Sequence, residues 1–175
     1  MKVFGLAGWS NSGKTTLMTA VVGILTQRGF RVSTIKHAHH AFDVDRPGKD
    51  SFRHREAGAS EVLITSGRRW ALMHELRDED EPTLDDMIAR MTPVDLLLVE
   101  GFKRHDHAKI EVHRPSVGKD PLWPQDPTVV AVASDEDLPA LTGRPWLDLN
   151  APETVVDFIL DHVGLPRTLG LETTS

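Results

Sequence analysis

The chain has 175 residues, 39% hydrophobic and 26% charged, which suffices for one well-buried core and is short for two. Its formal charge is −6 with no basic tail, which argues against coating nucleic acid, and the lack of cysteine excludes a disulfide scaffold and any thiolate metal site. With no signal-peptide pattern at its start and no apolar run of membrane-spanning length, it reads as a soluble protein of a reducing cytoplasm.

Val3, Phe4, Leu6 and Ala7, within Lys2 to Ala7, form a short apolar run of the kind that makes a buried parallel strand. Gly8, Trp9, Ser10, Asn11, Ser12, Gly13, Lys14 and Thr15 follow, matching glycine, four free positions, glycine, lysine, threonine at every place. From Thr16 to Arg28, Leu17, Val21, Ile24 and Leu25 recur at helical spacing, and Gly29 supplies a left-handed closing position with Arg28 against the negative end of the dipole. Strand, glycine loop and helix are the context that a phosphate-binding loop requires. Gly8 and Gly13 can take φ values closed to other residues, so amides turn inward as an anion nest at the positive end of the helix. Lys14 is then placed for the β and γ phosphates, and the Thr15 hydroxyl for Mg²⁺.

Val32, Thr34 and Ile35, within Arg31 to His37, make a second strand and complete a βαβ unit. The polar segment from His37 to Ser51 contains Asp43, Asp45, Pro47 and Gly48 and should border the ligand crevice. It is either a solvated turn or a switch-like loop in which Asp43 or Asp45 helps hold Mg²⁺ or orients attacking water. His39, His40 and His54 suggest a metal site, although phosphate or partner contacts explain them as readily. Asp50 or Ser51 can cap a helix from Phe52 to Ala57, whose Arg53 and Arg55, with Lys49, either bind a phosphorylated ligand or stay solvated. Glu61 to Ser66 and Trp70 to Leu76 flank a turn at Gly67, Arg68 and Arg69, giving an antiparallel hairpin whose exposed edges need cover or a second chain. Trp70 is a candidate contact or a core aromatic.

Thr83 and Asp86 form a capping-box pattern ahead of a helix that buries Leu84, Met87, Ile88 and Met91. Val94 to Val99 is an apolar strand ending in Glu100 and Gly101, the shape of a Walker B segment, with Glu100 placed to hold Mg²⁺ through water or position the attacking water. Lys103, Arg104, His105 and His107 make a basic loop, Lys109 to His113 a short alternating strand, and Arg114 to Pro127 a long irregular loop. Thr128 to Ala133 is a further buried strand with Ser134 and Asp135 at its tip. Asp135 is either a base-reading carboxylate, pairing with guanine N1 and N2, or a turn cap. Pro145 to Leu149 adds a small strand, Asn150 can cap a last helix, and a frayed tail is expected from Leu165.

The phosphate loop with Thr16 and Leu17, the block Ile35, Lys36, His37, Phe42, Asp43 and Pro47 to Ser51, then Arg53, Ala57 and Gly58, and Val99 to Phe102 ahead of Lys109 to Val112, together resemble the MobB family of molybdopterin-guanine dinucleotide biosynthesis adaptor proteins. The resemblance covers the first two thirds well. It implies an α/β fold of the P-loop NTPase type, three layers α/β/α around a mostly parallel sheet with an antiparallel hairpin extension. One GTP-binding domain over 1–164 is expected, with a tail at 165–175 and the hairpin at about 61–76 in a homodimer. It implies GTP and Mg²⁺ as ligands, slow GTP hydrolysis, and assistance to a MobA-type guanylyltransferase acting on molybdopterin cofactor, with no nucleic-acid or membrane partner. By position, the resemblance implies that Gly8, Ser10, Asn11, Ser12, Gly13, Lys14, Thr15 and Thr16 bind the nucleotide, and Asp135 stays the candidate for reading the base. Thr15, Asp43, Asp45 and Glu100 are the metal candidates, and Lys14, Glu100 and Asp45 the catalytic ones. A GTP-dependent nickel or zinc chaperone and a small-molecule kinase are the competing readings.

Overall fold

The computed structural model describes residues 1–38, 42–103, 105–138 and 143–169. The backbone forms two compact units, Met1–His37 with Thr92–Ser175, and Ala38–Met91.

In the first unit β1 (Lys2–Ala7), β2 (Val32–Lys36), β5 (Leu96–Glu100), β6 (Lys109–Val112), β7 (Val129–Ser134) and β8 (Trp146–Asp148) make one sheet in the order β2-β5-β1-β6-β7-β8. Every neighbouring pair is parallel. Such strands are buried on both faces and read as apolar runs, and Leu96, Leu97, Leu98 and Val99 are all at 0% exposure. Phe4, Leu6, Leu98 and Ile110 point to the face covered by α1 (Lys14–Gln27) and α4 (Pro152–Val163), which contribute Val21, Leu25, Ile159 and Leu160. Each fully buried leucine there contributes roughly 1.5–3 kcal/mol of transfer free energy. The connection from β1 leads toward β2 and that from β6 toward β7, so their loops part at the switch point of the sheet, where doubly wound folds bind ligands.

Arg28, expected to answer the dipole of α1, also joins the two helices. Its guanidinium donates to Asp157 Oδ1 at 2.6 Å and to Glu153, both on α4. Leu165 and Leu169 pack against the core, and the Leu169 amide donates to the Arg28 carbonyl at 3.0 Å. Contact with the core therefore extends to Leu169, past the point where a frayed tail is expected.

The alternation in β6 is real, but neither face is wet. Ile110 and Val112 enter the main core, while Lys109 and Glu111 are buried on the other side at 1% and 0% exposure. Both charges find partners, Glu111 in backbone amides and Lys109 in backbone carbonyls and two side chains. Lys109 Nζ donates to the carbonyls of Lys103 and His105 (3.2 and 2.7 Å) and to Thr128 Oγ1 (2.7 Å), with Asp126 at 3.6 Å. Glu111 accepts the amides of Leu122 (2.9 Å) and Trp123 (2.8 Å), anchoring the long loop 114–127. Trp123 then packs on Val129 and Val132. Burial pushes the Glu111 carboxyl above its ordinary pKa and the Lys109 ammonium below its own.

The second unit holds α2 (Asp50–Glu56), the antiparallel pair β3 (Glu61–Thr65) and β4 (Trp70–His74), and α3 (Leu84–Arg90). The hairpin is a separate two-stranded sheet, closed by the Ser66 amide donating to the Arg69 carbonyl at 2.9 Å. The capping box at α3 is present in both halves: Thr83 Oγ1 accepts the Asp86 amide, and the Asp86 carboxylate accepts the Thr83 amide. Only Leu84 of its expected buried face is fully covered; Met87, Ile88 and Met91 are half-buried. Two expected caps move. Lys49, rather than Asp50 or Ser51, is the N-cap of α2, and Ala151, rather than Asn150, is that of α4. Ser51 Oγ instead donates to Asp45 Oδ1, and the Asn150 amide closes a turn on Asp148 Oδ1. No helix among the described residues is long and apolar enough to cross a membrane.

Candidate functional site

The carboxyl ends of β1, β5, β6 and β7 carry Gly8–Lys14, Glu100, Arg114 and Asp135, all in the first unit. Gly8 (φ 139°) and Gly13 (φ 97°) occupy the positive-φ half of backbone space, and Asn11 joins them at φ 66°. A Cβ on Gly8 would lie 2.4 Å from the Val112 carbonyl oxygen, so this position admits glycine alone. Gly13 is the N-cap of α1 and offers no side chain to its first amides, and the first turn carries no acid. Ser12 is 2% exposed, and its Oγ has no hydrogen-bond partner among the described residues. Positive-φ backbone, helix amides without a side-chain cap and an orphaned hydroxyl suit a phosphate chain.

Charge points the same way. Lys14 Nζ donates to the Trp9 carbonyl at 2.6 Å, across its own loop. Burial lowers its pKa, Glu100 raises it in part, and Lys103 and Lys36 lower it further. Lys36 Nζ lies 3.5 Å from Glu100 Oε1, and Lys103 Nζ stands 4.3 Å from the centre of the Trp9 ring. Three ammonium groups thus gather near one carboxylate in a chain whose net charge is −6, an arrangement that favours a polyanion. Thr15 and Thr16 are exposed at the start of α1, as are Ser10 and Asn11 in the loop.

Gly101, at φ 95°, makes a close approach between strands. Its Cβ would meet His37 Cβ at 2.8 Å, so it lets β5 pass close to the end of β2, where the His37 and Phe102 rings meet at 4.7 Å with a 41° tilt. Arg114 was not legible as a site residue; its only signal is a basic side chain just past the end of β6. Its guanidinium lies against Gly13 and pairs with Asp135 (Nη1 to Oδ2, 3.3 Å).

Asp43 and Asp45 lie in the second unit, where Arg55 engages them. Arg55 Nη2 donates to both Asp43 oxygens at 2.9 Å, Nε lies 3.7 Å from Asp45 Oδ2, and Nη1 donates to Glu75 Oε1 at 2.9 Å. Its charge is committed to these acids, and it stands 5.4 Å from the Phe52 ring centre. Asp43 is held below the usual carboxylate pKa, chiefly by the Asp45 amide and then by Arg55. Arg53 and His54 are exposed; His39, His40 and Arg104 lie outside the described residues. No group of three or more His, Cys, Asp or Glu able to hold a metal ion forms among the described residues.

Residues 3–135 match the family model of MobB, molybdopterin guanine dinucleotide synthesis protein B. The chain is 43% identical over 162 residues to a molybdopterin-guanine dinucleotide biosynthesis adapter protein of Escherichia coli (strain K12), covering 91% of each. It is 42% identical over 160 residues to one of Haemophilus influenzae, covering 90% of this chain and 86% of that one. Its fold matches a crystal structure of molybdopterin-guanine biosynthesis protein B with a TM-score of 0.70 at 27% identity, over 91% of this chain and 99% of that one. The MobB homologue of Bacillus stearothermophilus gives 0.68 at 25% identity, over 94% and 99%. Phosphate loop, switch-point geometry and a family match over most of its length agree: this chain belongs to the MobB family.

Proposed function

We propose that the chain is a GTP-binding adapter of molybdopterin-guanine dinucleotide biosynthesis, working in the cytoplasm as a homodimer beside a MobA-type guanylyltransferase that modifies molybdopterin cofactor. The observation that carries the reading is the Gly8–Lys14 loop, with its two left-handed glycines, uncapped helix amides and the Lys14 ammonium folded across it. The amides of Ser10 to Thr16 and the Lys14 ammonium would receive the phosphates. Thr15 and Glu100 would hold Mg²⁺, which neutralises phosphate charge when bound. Glu100 is also the carboxylate beside Lys14 placed to orient water. Asp43 and Asp45 would take part in metal binding only by giving up Arg55.

Slow hydrolysis suits an adapter, since Glu100 is the one carboxylate that acts on Lys14 among the described residues. The commitment of Arg55 to carboxylates weighs against a kinase that enlists it to grip an acceptor. Support for the dimer comes from β3 and β4. Leu63 and Leu72 are cross-strand partners on one face of the hairpin with Trp70, at 61%, 49% and 69% exposure. An exposed apolar face on a two-stranded sheet calls for a partner. Stimulation of a MobA-type enzyme in the presence of GTP tests the function: the intact chain should raise the rate of dinucleotide formation and Lys14→Ala should not. Equal stimulation by both would refute the nucleotide-dependent adapter.

A further inference from the structure

Trp9, the second residue of the phosphate loop, is held from three directions. Its carbonyl accepts the Lys14 ammonium at 2.6 Å, its indole N–H donates to the Asp120 carbonyl at 2.7 Å, and the Lys103 ammonium stands 4.3 Å from the centre of its ring. The first contact stays within the loop. The second reaches the long segment 114–127 and the third the turn that follows Glu100, so one half-buried indole joins three stretches of the first unit.

The long segment has two differently anchored halves. Leu122 and Trp123 donate their amides to buried Glu111, and Trp123 packs on Val129 and Val132, contacts that do not involve the phosphate loop. In the first half Pro115, Ser116, Gly118, Lys119 and Asp120 are exposed. Its internal hydrogen bonds, from the Val117 amide to the Arg114 carbonyl and from the Gly118 amide to the Pro115 carbonyl, are local. Its hydrogen bond to the phosphate loop is the one that Asp120 accepts from Trp9. A segment with few buried contacts opens locally at little cost, so its opening depends on such a tether.

Phosphates on the loop would withdraw the other two holds on Trp9. The Lys14 ammonium would leave the Trp9 carbonyl for the phosphate chain, and the Lys103 ammonium, which lies close enough to Lys14 to depress its pKa, would meet the same anion. A charge-assisted hydrogen bond to a phosphate oxygen is stronger than a cation over a partly exposed aromatic face, so the phosphate wins the ammonium. The Lys103 backbone stays, because its carbonyl accepts the buried Lys109 Nζ at 3.2 Å. We propose that Trp9 is the coupling residue of this chain: nucleotide on the phosphate loop frees the indole and, through Asp120, loosens residues 115–120, which makes that exposed stretch the surface on which the adapter displays its nucleotide state. The proposal rests on the nucleotide-binding reading above and adds to it the route by which occupancy is carried out of the site.

Hydrogen exchange of the full chain, with and without saturating GTP and Mg²⁺, tests it, with calorimetry on the same samples to establish occupancy. In the parent, GTP should quicken exchange across 116–120 about two- to fivefold and leave Leu122 and Trp123 no faster. Trp9→Phe keeps a ring for Lys103 and lacks the N–H. In it, 116–120 should exchange about two- to tenfold faster than in the parent before any nucleotide is added, and should not respond to GTP. Lys103→Met leaves the indole bond in place and should raise nucleotide-free exchange at 116–120 about two- to fivefold. Exchange at 116–120 that GTP leaves unchanged or slows in the parent, or a quickening that extends equally to Leu122 and Trp123, would overturn the coupling while nucleotide binding stands. So would nucleotide-free exchange equal to the parent's in either variant, a comparison that holds even if Trp9→Phe takes up no GTP. A parent chain that binds no GTP in the calorimeter would overturn the nucleotide reading itself, and the coupling with it.

Discussion

Buried Glu111 and half-buried His107 show how single groups hold the sheet. The Glu111 carboxylate is the acceptor for two amides of the long loop, so Glu111→Ala leaves them without a partner under Trp123. The expected cost is about 2–5 kcal/mol in urea unfolding, with loss of the loop's amide protection in hydrogen exchange; an unchanged midpoint would remove the anchoring role. His107 lies over Gly5, where a Cβ would stand 2.3 Å from its Nε2. Burial, then Lys109 and His105, lowers its pKa to about 4. Because that is below the unfolded value of about 6.5, the folded state favours neutral His107, and its contribution is present above about pH 6.5 and lost as pH falls toward 4. His74 has the opposite sign: Glu61, then Glu79, raise its pKa, so its contribution is full below the unfolded value and is lost as pH rises through the raised one. Stability measured against pH should therefore rise less steeply between pH 4 and 6.5 in His107→Gln than in the parent; an identical slope would contradict the assignment.

At the scale of elements, the hairpin and the caps make separate predictions. Leu72→Lys sets a charge on the exposed face of β4 opposite Leu63. Sedimentation should show a dimer become a monomer with nucleotide affinity unchanged, and a dimer that persists would assign the interface elsewhere. Thr83→Ala removes one half of the capping box of α3 and should cost about 1 kcal/mol. These elements also mark how far residues alone can be read. The strands, α1 and the glycine turn that opens it were legible because periodicity and a fixed glycine spacing are local signals. So was the capping box. The cap of α2 was not, because the Ser51 hydroxyl found a partner in Asp45 that competes with the helix end; nor was that of α4, where the Asn150 backbone amide closes a turn on Asp148 one residue ahead of the Ala151 cap. Nor was the covered side of β6, since a charged residue in a strand normally implies solvent and only the returning loop makes Lys109 and Glu111 internal. Arg114 belongs to the same class: its neighbours Gly13 and Asp135 are about 100 and 20 residues away in the chain.

For the whole molecule, the family, the parallel sheet and the phosphate loop converge on one expectation, that the folded chain is a receptor for a nucleotide triphosphate tail. A ligand that binds only the native state stabilises it by about 2.7 kcal/mol at a hundredfold excess over its Kd. GTP with Mg²⁺ should therefore raise the thermal midpoint in a concentration-dependent way. The most direct measurement is calorimetric titration of the intact chain with GTP and Mg²⁺, beside Lys14→Ala. We predict saturable binding, one nucleotide per chain, that weakens at least about tenfold when the ammonium is removed. Absence of binding in the parent, or binding that Lys14→Ala leaves untouched, would contradict the phosphate loop as the seat of this protein's function.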